Sequence, residues 1–94
     1  VPLLTVDEQY ARINASCVLA RIAEDYPASV EQLVDEFVGL LDDDDPTVRE
    51  NACWALGPLQ ADTAAASLQR VAGNDDEADV RTRAMWALSE IEDF

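Results

Sequence analysis

From Val48 onward the apolar residues fall at Val48, Ala52, Ala55, Leu56 and Leu59, the i, i+4, i+7, i+8, i+11 spacing of one helical stripe. The same stripe returns 32 residues later as Val80, Ala84, Ala87, Leu88 and Ile91. It is present once more 37 residues earlier as Ala11, Ala15, Val18, Leu19 and Ile22. Two other stripes lie between these. Val30, Leu33, Val34, Phe37 and Leu41 make one, and Ala65, Leu68, Val71 and Ala72 the other. The pattern predicts five helices in the order A, B, A, B, A.

Polar punctuation agrees with those starts and stops. Thr5 and Glu8 have capping-box spacing ahead of the first A helix, and Ser29 with Gln32 has it ahead of the first B helix. Pro27 separates the two. Asp45 followed by Pro46 reads as an N-cap and a first-turn proline. Asp62 is the expected cap of the second B helix, and Gly73 its expected stop.

The stripes belong to a true internal repeat. "VRENACWALGPL" from Val48 and "VRTRAMWALSEI" from Val80 share Val, Arg, Ala, Trp, Ala and Leu, six of twelve positions. "ARINASCVLARI" from Ala11 matches the first of these at Arg12, Asn14, Ala15 and Leu19. Ala15, Ala52 and Ala84 occupy one repeat position, where a small side chain would let helices approach. Antiparallel helix pairs with two apolar sides must stack to bury both. The expectation is an all-α fold, an α-solenoid, in a single repeat domain over residues 1–94 with units at roughly 5–41, 42–73 and 74–94. The last unit has no B helix, so Ala87, Leu88 and Ile91 are expected to be open, for another copy or for further repeats to cover. The chain opens on Val1 rather than methionine, as a trimmed piece would.

The stretches "DDDPTVRENACWALGPL" and "NDDEADVRTRAMWALSEI" resemble the HEAT-repeat unit, in particular the short form called PBS-lyase HEAT-like. Residues 42–92 carry the resemblance well and residues 5–41 more loosely. The first copy lacks the Val-Arg pair and the glycine, and the third has Ser89 in place of Gly57. The resemblance implies protein–protein scaffolding, and a ladder in which turn aspartates pair with helix arginines. Some members assist chromophore attachment, which makes an accessory subunit of a lyase or other protein-modifying enzyme the alternative role.

Charge narrows the partners. The chain has 20 acidic and 6 basic residues, all six of them arginine, for a net charge of -14. Such a surface repels nucleic-acid phosphates and anionic membrane faces, so the expected partner is a basic or arginine-bearing protein. Acid excess without lysine also fits a haloarchaeal type of cytoplasm, where salt screens self-repulsion. No apolar run approaches the ~18 residues of a membrane span. Cys17 and Cys53 are too few for a disulfide scaffold and suit a reducing compartment.

Candidate chemistry is sparse. Asp42 to Asp45 lack the alternate spacing and the glycine of a calcium loop, so they read as a turn between helices. Asp43 lies six residues before Arg49, and Asp75 six before Arg81, which predicts an aspartate–arginine pairing repeated along the stack. In that reading Asp45 caps the next helix, and Asp42 and Asp44 only solvate. Neither cysteine has a histidine base, because the chain contains none. No catalytic residue, metal ligand or cofactor is therefore expected, and the chain reads as a non-enzyme. Trp54 and Trp86 fall on the flanks of their helices, as packing residues or, at Trp86, as a partner anchor. The candidate partner face is that of the B helices, Glu31, Gln32, Asp35, Glu36, Gln69 and Arg70, and Trp86 on the last A helix is a further candidate contact. The C-terminal helix is the candidate for self-association.

Overall fold

The computed structural model describes residues 2–60 and 62–92, with side chains over residues 8–60 and 62–91. Among the described residues all regular structure is helical: α1 (Pro2–Asp25), α2 (Val34–Leu40), α3 (Pro46–Leu59), α4 (Ala65–Asn74) and α5 (Ala78–Glu92). Single 3-10 turns at Pro27–Ser29, Glu31–Leu33 and Asp62–Ala64 lead into α2 and α4.

The fold is an all-α solenoid of two layers. The A helices lie side by side, α1 against α3 and α3 against α5. The short B helices form the second layer, with α2 on α3 and α4 on α5. The resulting slab measures 48 × 30 × 17 Å. Its core is the predicted stripes of α3 and α5 meeting Phe37 of α2, Leu41 just after it, and Leu68 and Val71 of α4, all buried apart from the half-buried Leu59 and Leu88. Ala52 and Ala84 are both fully buried in this core. Helix α3 has the clearest signals. Asp45 caps the Thr47 N–H at 2.7 Å, Pro46 opens the first turn, and Gln60 ends the helix in the left-handed region at φ 51°.

Helix α1 departs from its expected register. Ala11 and Ala15 are exposed and Val18 is 56% exposed, while Ser16, Ala20 and Ala23 are buried against the stack. The reason is topological. In α3 and α5 the stripe faces a B helix packed on it, whereas α1 touches mainly α3 and the turn at Pro27–Ser29. With no second-layer helix to cover it, the stripe is left outside at Ala11, Ala15 and Val18, while Leu19 and Ile22 stay half-buried on the core and the α3-facing side becomes the buried one. Ala15 therefore does not share the packing role of Ala52 and Ala84.

Several caps also differ. The backbone of α1 is helical from Pro2, so Thr5 lies inside the helix, and its side chain falls outside the described residues. The α-helical start of α2 moves to Val34, which leaves Ser29 no first-turn amide to cap. Gln32 donates instead to the Ser29 carbonyl at 3.3 Å. Asp62 opens a 3-10 turn rather than capping α4, whose N-cap position is the buried Ala64. Gly73 does not stop α4, which runs on to Asn74 and breaks at Asp75 in extended geometry. At the far end, Ala87 and Ile91 are buried and Leu88 half-buried, because α4 covers that side of α5. Among the described residues the exposed large apolar side chain there is Met85, at 53%.

Candidate interaction site

The four aspartates between α2 and α3 have four different surroundings. Asp43 accepts Arg12 at 3.0 Å and the Asp45 N–H at 2.9 Å, which closes the turn. Asp45, besides capping α3, accepts from the side-chain amide of Gln9 on α1. Asp42 pairs with Arg70 of α4 at 3.2 Å with both groups exposed, so it does more than solvate, though such a pair contributes only about 0–1 kcal/mol. Asp44 is exposed, and only its carbonyl is engaged, by Arg49 at 3.2 Å.

The arginine ladder is wired differently from the expected pairing at a separation of six. Arg49 does not hold the Asp43 carboxylate. Its Nη1 donates to the Asp43 carbonyl at 2.9 Å, while Nε and Nη2 donate to the Asp75 carboxylate at 2.9 and 3.2 Å. Nη2 also reaches Asp76 at 3.2 Å. Arg81 repeats the backbone half of this arrangement, donating to the Asp75 carbonyl at 2.6 Å. Arg49 thus ties its own turn through a carbonyl, and the next turn through a carboxylate. Arg12 does the second part for Asp43. The alignment of Arg12 with Arg49 held that information, but the separation-of-six reading looked backward along the chain instead of forward.

This wiring sets the response to acid. Burial pushes the Asp75 carboxyl up, but the Glu77 N–H and Arg49 together outweigh it and hold it below the ordinary carboxylate range. Asp45 is lowered too, chiefly by the hydrogen bond from Gln9. A carboxylate depressed in the folded chain stabilises it above the unfolded pKa of about 3.9, and that stability is lost as pH falls through the folded pKa. Denaturant unfolding from pH 7 to pH 2 in molar salt should show a smaller acid loss for Asp75→Asn than for the parent chain. Superimposable pH profiles would show that Asp75 contributes nothing to this linkage.

The two tryptophans lie on the A-helix side. Trp54 is half-buried and donates to Glu24 of α1 at 2.9 Å. Trp86 is half-buried on Gly57 of α3, with the Arg83 guanidinium 5.3 Å above its ring. A Cβ at Gly57 would stand 2.7 Å from the indole, so the close approach of α3 and α5 requires glycine there. The shallow groove that Trp86 lines is completed by Glu50, Asp79, Thr82 and Arg83 and includes none of the six B-helix candidates. Those six are all exposed: Glu31 and Gln32 in the turn before α2, Asp35 and Glu36 on α2, Gln69 and Arg70 on α4. The sequence reading did not single out Asn51, which donates to Ser16 Oγ at 3.1 Å and locks α3 to the buried face of α1. Its match with Asn14 in the repeat gave no hint of this, because Asn14 is exposed.

Cys53 is fully buried, and loss of solvation pushes its thiol up to about 12, so it is no nucleophile at neutral pH. Among the described residues no group of three or more His, Cys, Asp or Glu is arranged to hold a metal ion. No described helix is long and apolar enough to cross a membrane. No curated protein and no solved structure matches the chain. A family model for HEAT repeats does match, over residues 1–89. That span takes in the arginine ladder, both tryptophans and the stacked A helices, and the chain belongs to the HEAT-repeat family.

Proposed function

We propose that the chain is a non-catalytic adaptor that offers the outward face of its B helices to a basic or arginine-bearing protein. HEAT repeats are in general protein-interaction scaffolds, and that background supports the reading. The observation that carries it is that Glu31, Gln32, Asp35, Glu36, Gln69 and Arg70 are all exposed and almost idle in the fold. Among the described residues their side-chain contacts are the Gln32 bond to Ser29 and the exposed Arg70–Asp42 pair. Side chains with so little structural duty are free to meet a partner, and a net charge of -14 steers cations toward them. A high-salt cytoplasm of haloarchaeal type is the setting that suits this charge. The half-buried Trp86 groove is a separate candidate surface on the other layer.

Affinity capture at molar salt tests the reading, with Glu36→Lys and Trp86→Ala variants run beside the parent chain. The adaptor reading expects a partner that the parent retains and Glu36→Lys loses. Retention by Glu36→Lys with loss by Trp86→Ala would move the site to the groove. Identical background capture by all three would remove the adaptor role.

A further inference from the structure

We propose that the groove between α3 and α5 that Trp86 lines is a recognition pocket for one arginine side chain of a partner protein. It lies on the A-helix layer, so it goes beyond the adaptor reading of the B-helix face and does not depend on it.

The two grooves of the A layer share a frame and differ in content. In the first, between α1 and α3, the Trp54 indole N–H is taken by Glu24 at 2.9 Å, and Asn51 crosses to Ser16 Oγ at 3.1 Å. Both polar groups are engaged inside the fold. The repeat offset of 32 carries Trp54 onto Trp86, Asn51 onto Arg83 and Thr47 onto Asp79. On the opposite wall the offset of 37 carries Ile13 onto Glu50 and Glu24 onto Ala61. The second groove therefore lacks both the carboxylate that caps the indole and the amide that bridges the helices. It has instead a carboxylate on each wall, Glu50 of α3 and Asp79 of α5.

These groups have no partners within the fold. Among the described residues neither Glu50 nor Asp79 pairs with an arginine, and nothing accepts the Trp86 N–H. Arg83, one turn after Asp79 on the same helix, is the nearest cation for either. It lies over the Trp86 ring instead, 5.3 Å from the centroid. The indole thus already holds one guanidinium, and its groove-side face suits a planar cation.

Size and charge define the occupant. The groove encloses about 310 Å³, at the small end of the ~300–1,000 Å³ of ligand pockets. That admits one long side chain and excludes a helix. Two carboxylates against one guanidinium leave the groove net negative, so the side chain is cationic. A guanidinium spreads its donors in a planar fork, which can meet carboxylates on both walls while lying flat on the indole. An ammonium is a point charge and does only the first, so arginine is favoured over lysine. Arg83 stands where the incoming guanidinium would lie. It is an internal competitor that covers the indole until a partner's arginine takes its place.

The probe is acetyl-Gly-Arg-Gly-amide, titrated into the intact 94-residue chain in molar salt, where the Debye length of about 3 Å removes general attraction to the acidic surface. The two tryptophans give two indole N–H cross-peaks in a nitrogen–proton correlation spectrum, told apart with Trp54→Phe. Saturable movement of the Trp86 cross-peak is expected, with the Trp54 cross-peak still. Citrulline in place of arginine keeps the shape and removes the charge, and should weaken binding at least about fivefold, with lysine weakening it about twofold. Glu50→Gln and Asp79→Asn should each weaken it about threefold, and Arg83→Gln should strengthen it about twofold by removing the competitor. Glu36→Lys should change nothing, which separates failure here from failure of the B-helix reading. Equal movement of both cross-peaks overturns the proposal, as does citrulline or lysine binding as well as arginine. So does undiminished binding by both Glu50→Gln and Asp79→Asn, or weaker binding by Arg83→Gln.

Discussion

Replacing Arg49 with alanine is expected to cost about 2–4 kcal/mol, against about 0–1 kcal/mol for Arg12→Ala. Both arginines hold a turn aspartate, so chemistry alone would rank them together. Exposure separates them. The Arg49 and Asp75 side chains are 13% and 7% exposed, whereas Arg12 is 41% exposed beside Asp43 at 11%. Removing Arg49 leaves the Asp75 carboxylate shielded from water with only the Glu77 N–H, and it frees the carbonyls of Asp43 and Asp44. Water replaces Arg12 far more readily. For a domain of this size each kcal/mol moves Tm by about 4–8 °C, so thermal melts resolve the difference. Equal shifts for the two variants would show that burial does not set the strength of a rung.

Leu56→Ala should be at least as damaging, at about 2–5 kcal/mol, because it opens a cavity where α3 has neighbours on three sides. Leu56 is fully buried, and α1, α2 and α5 all pack on its helix. Val18→Ala, at a position that the repeat places on the same stripe, should stay within about 0.5 kcal/mol of the parent. Val18 is 56% exposed. Urea titrations of the two variants check the pair, and a Val18→Ala loss approaching that of Leu56→Ala would mean that α1 is turned inward in solution.

That contrast also marks where sequence reasoning works and where it stops. The stripes of α3 and α5 were legible because each is flanked on both layers, so local periodicity and tertiary burial coincide. In α1 the same five positions are apolar but the helix as a whole is less amphipathic, and burial there depends on whether a second-layer helix is present. Caps divide in the same way. Asp45–Pro46 could be read because the cap and the first helical turn are adjacent, whereas Ser29 and Asp62 lead into 3-10 turns that delay the α-helix. The aspartates and arginines of the ladder were identifiable as residue types at repeating positions. Their partners were not, because the carboxylate that Arg49 takes lies 26 residues ahead and is fixed by the stacking of α3 and α5. The exposed polar positions on α2 and α4, Asp35, Glu36, Gln69 and Arg70, were readable simply as the sides opposite the apolar stripes.

The rungs also bear on how such a chain can change length. Arg12 reaches a carboxylate 31 residues ahead, and Arg49 one that is 26 ahead, with similar Nε to oxygen distances of 3.0 and 2.9 Å. The longer stretch contains the two 3-10 turns before α2, while the shorter one contains a single turn before α4. What is held constant is the meeting of a guanidinium with the next turn, not the number of residues between them. Insertions and deletions in the second layer can therefore accumulate without disturbing the spacing of the A helices. B-helix surfaces are then free to diverge in shape from one unit to the next over a frame that does not drift.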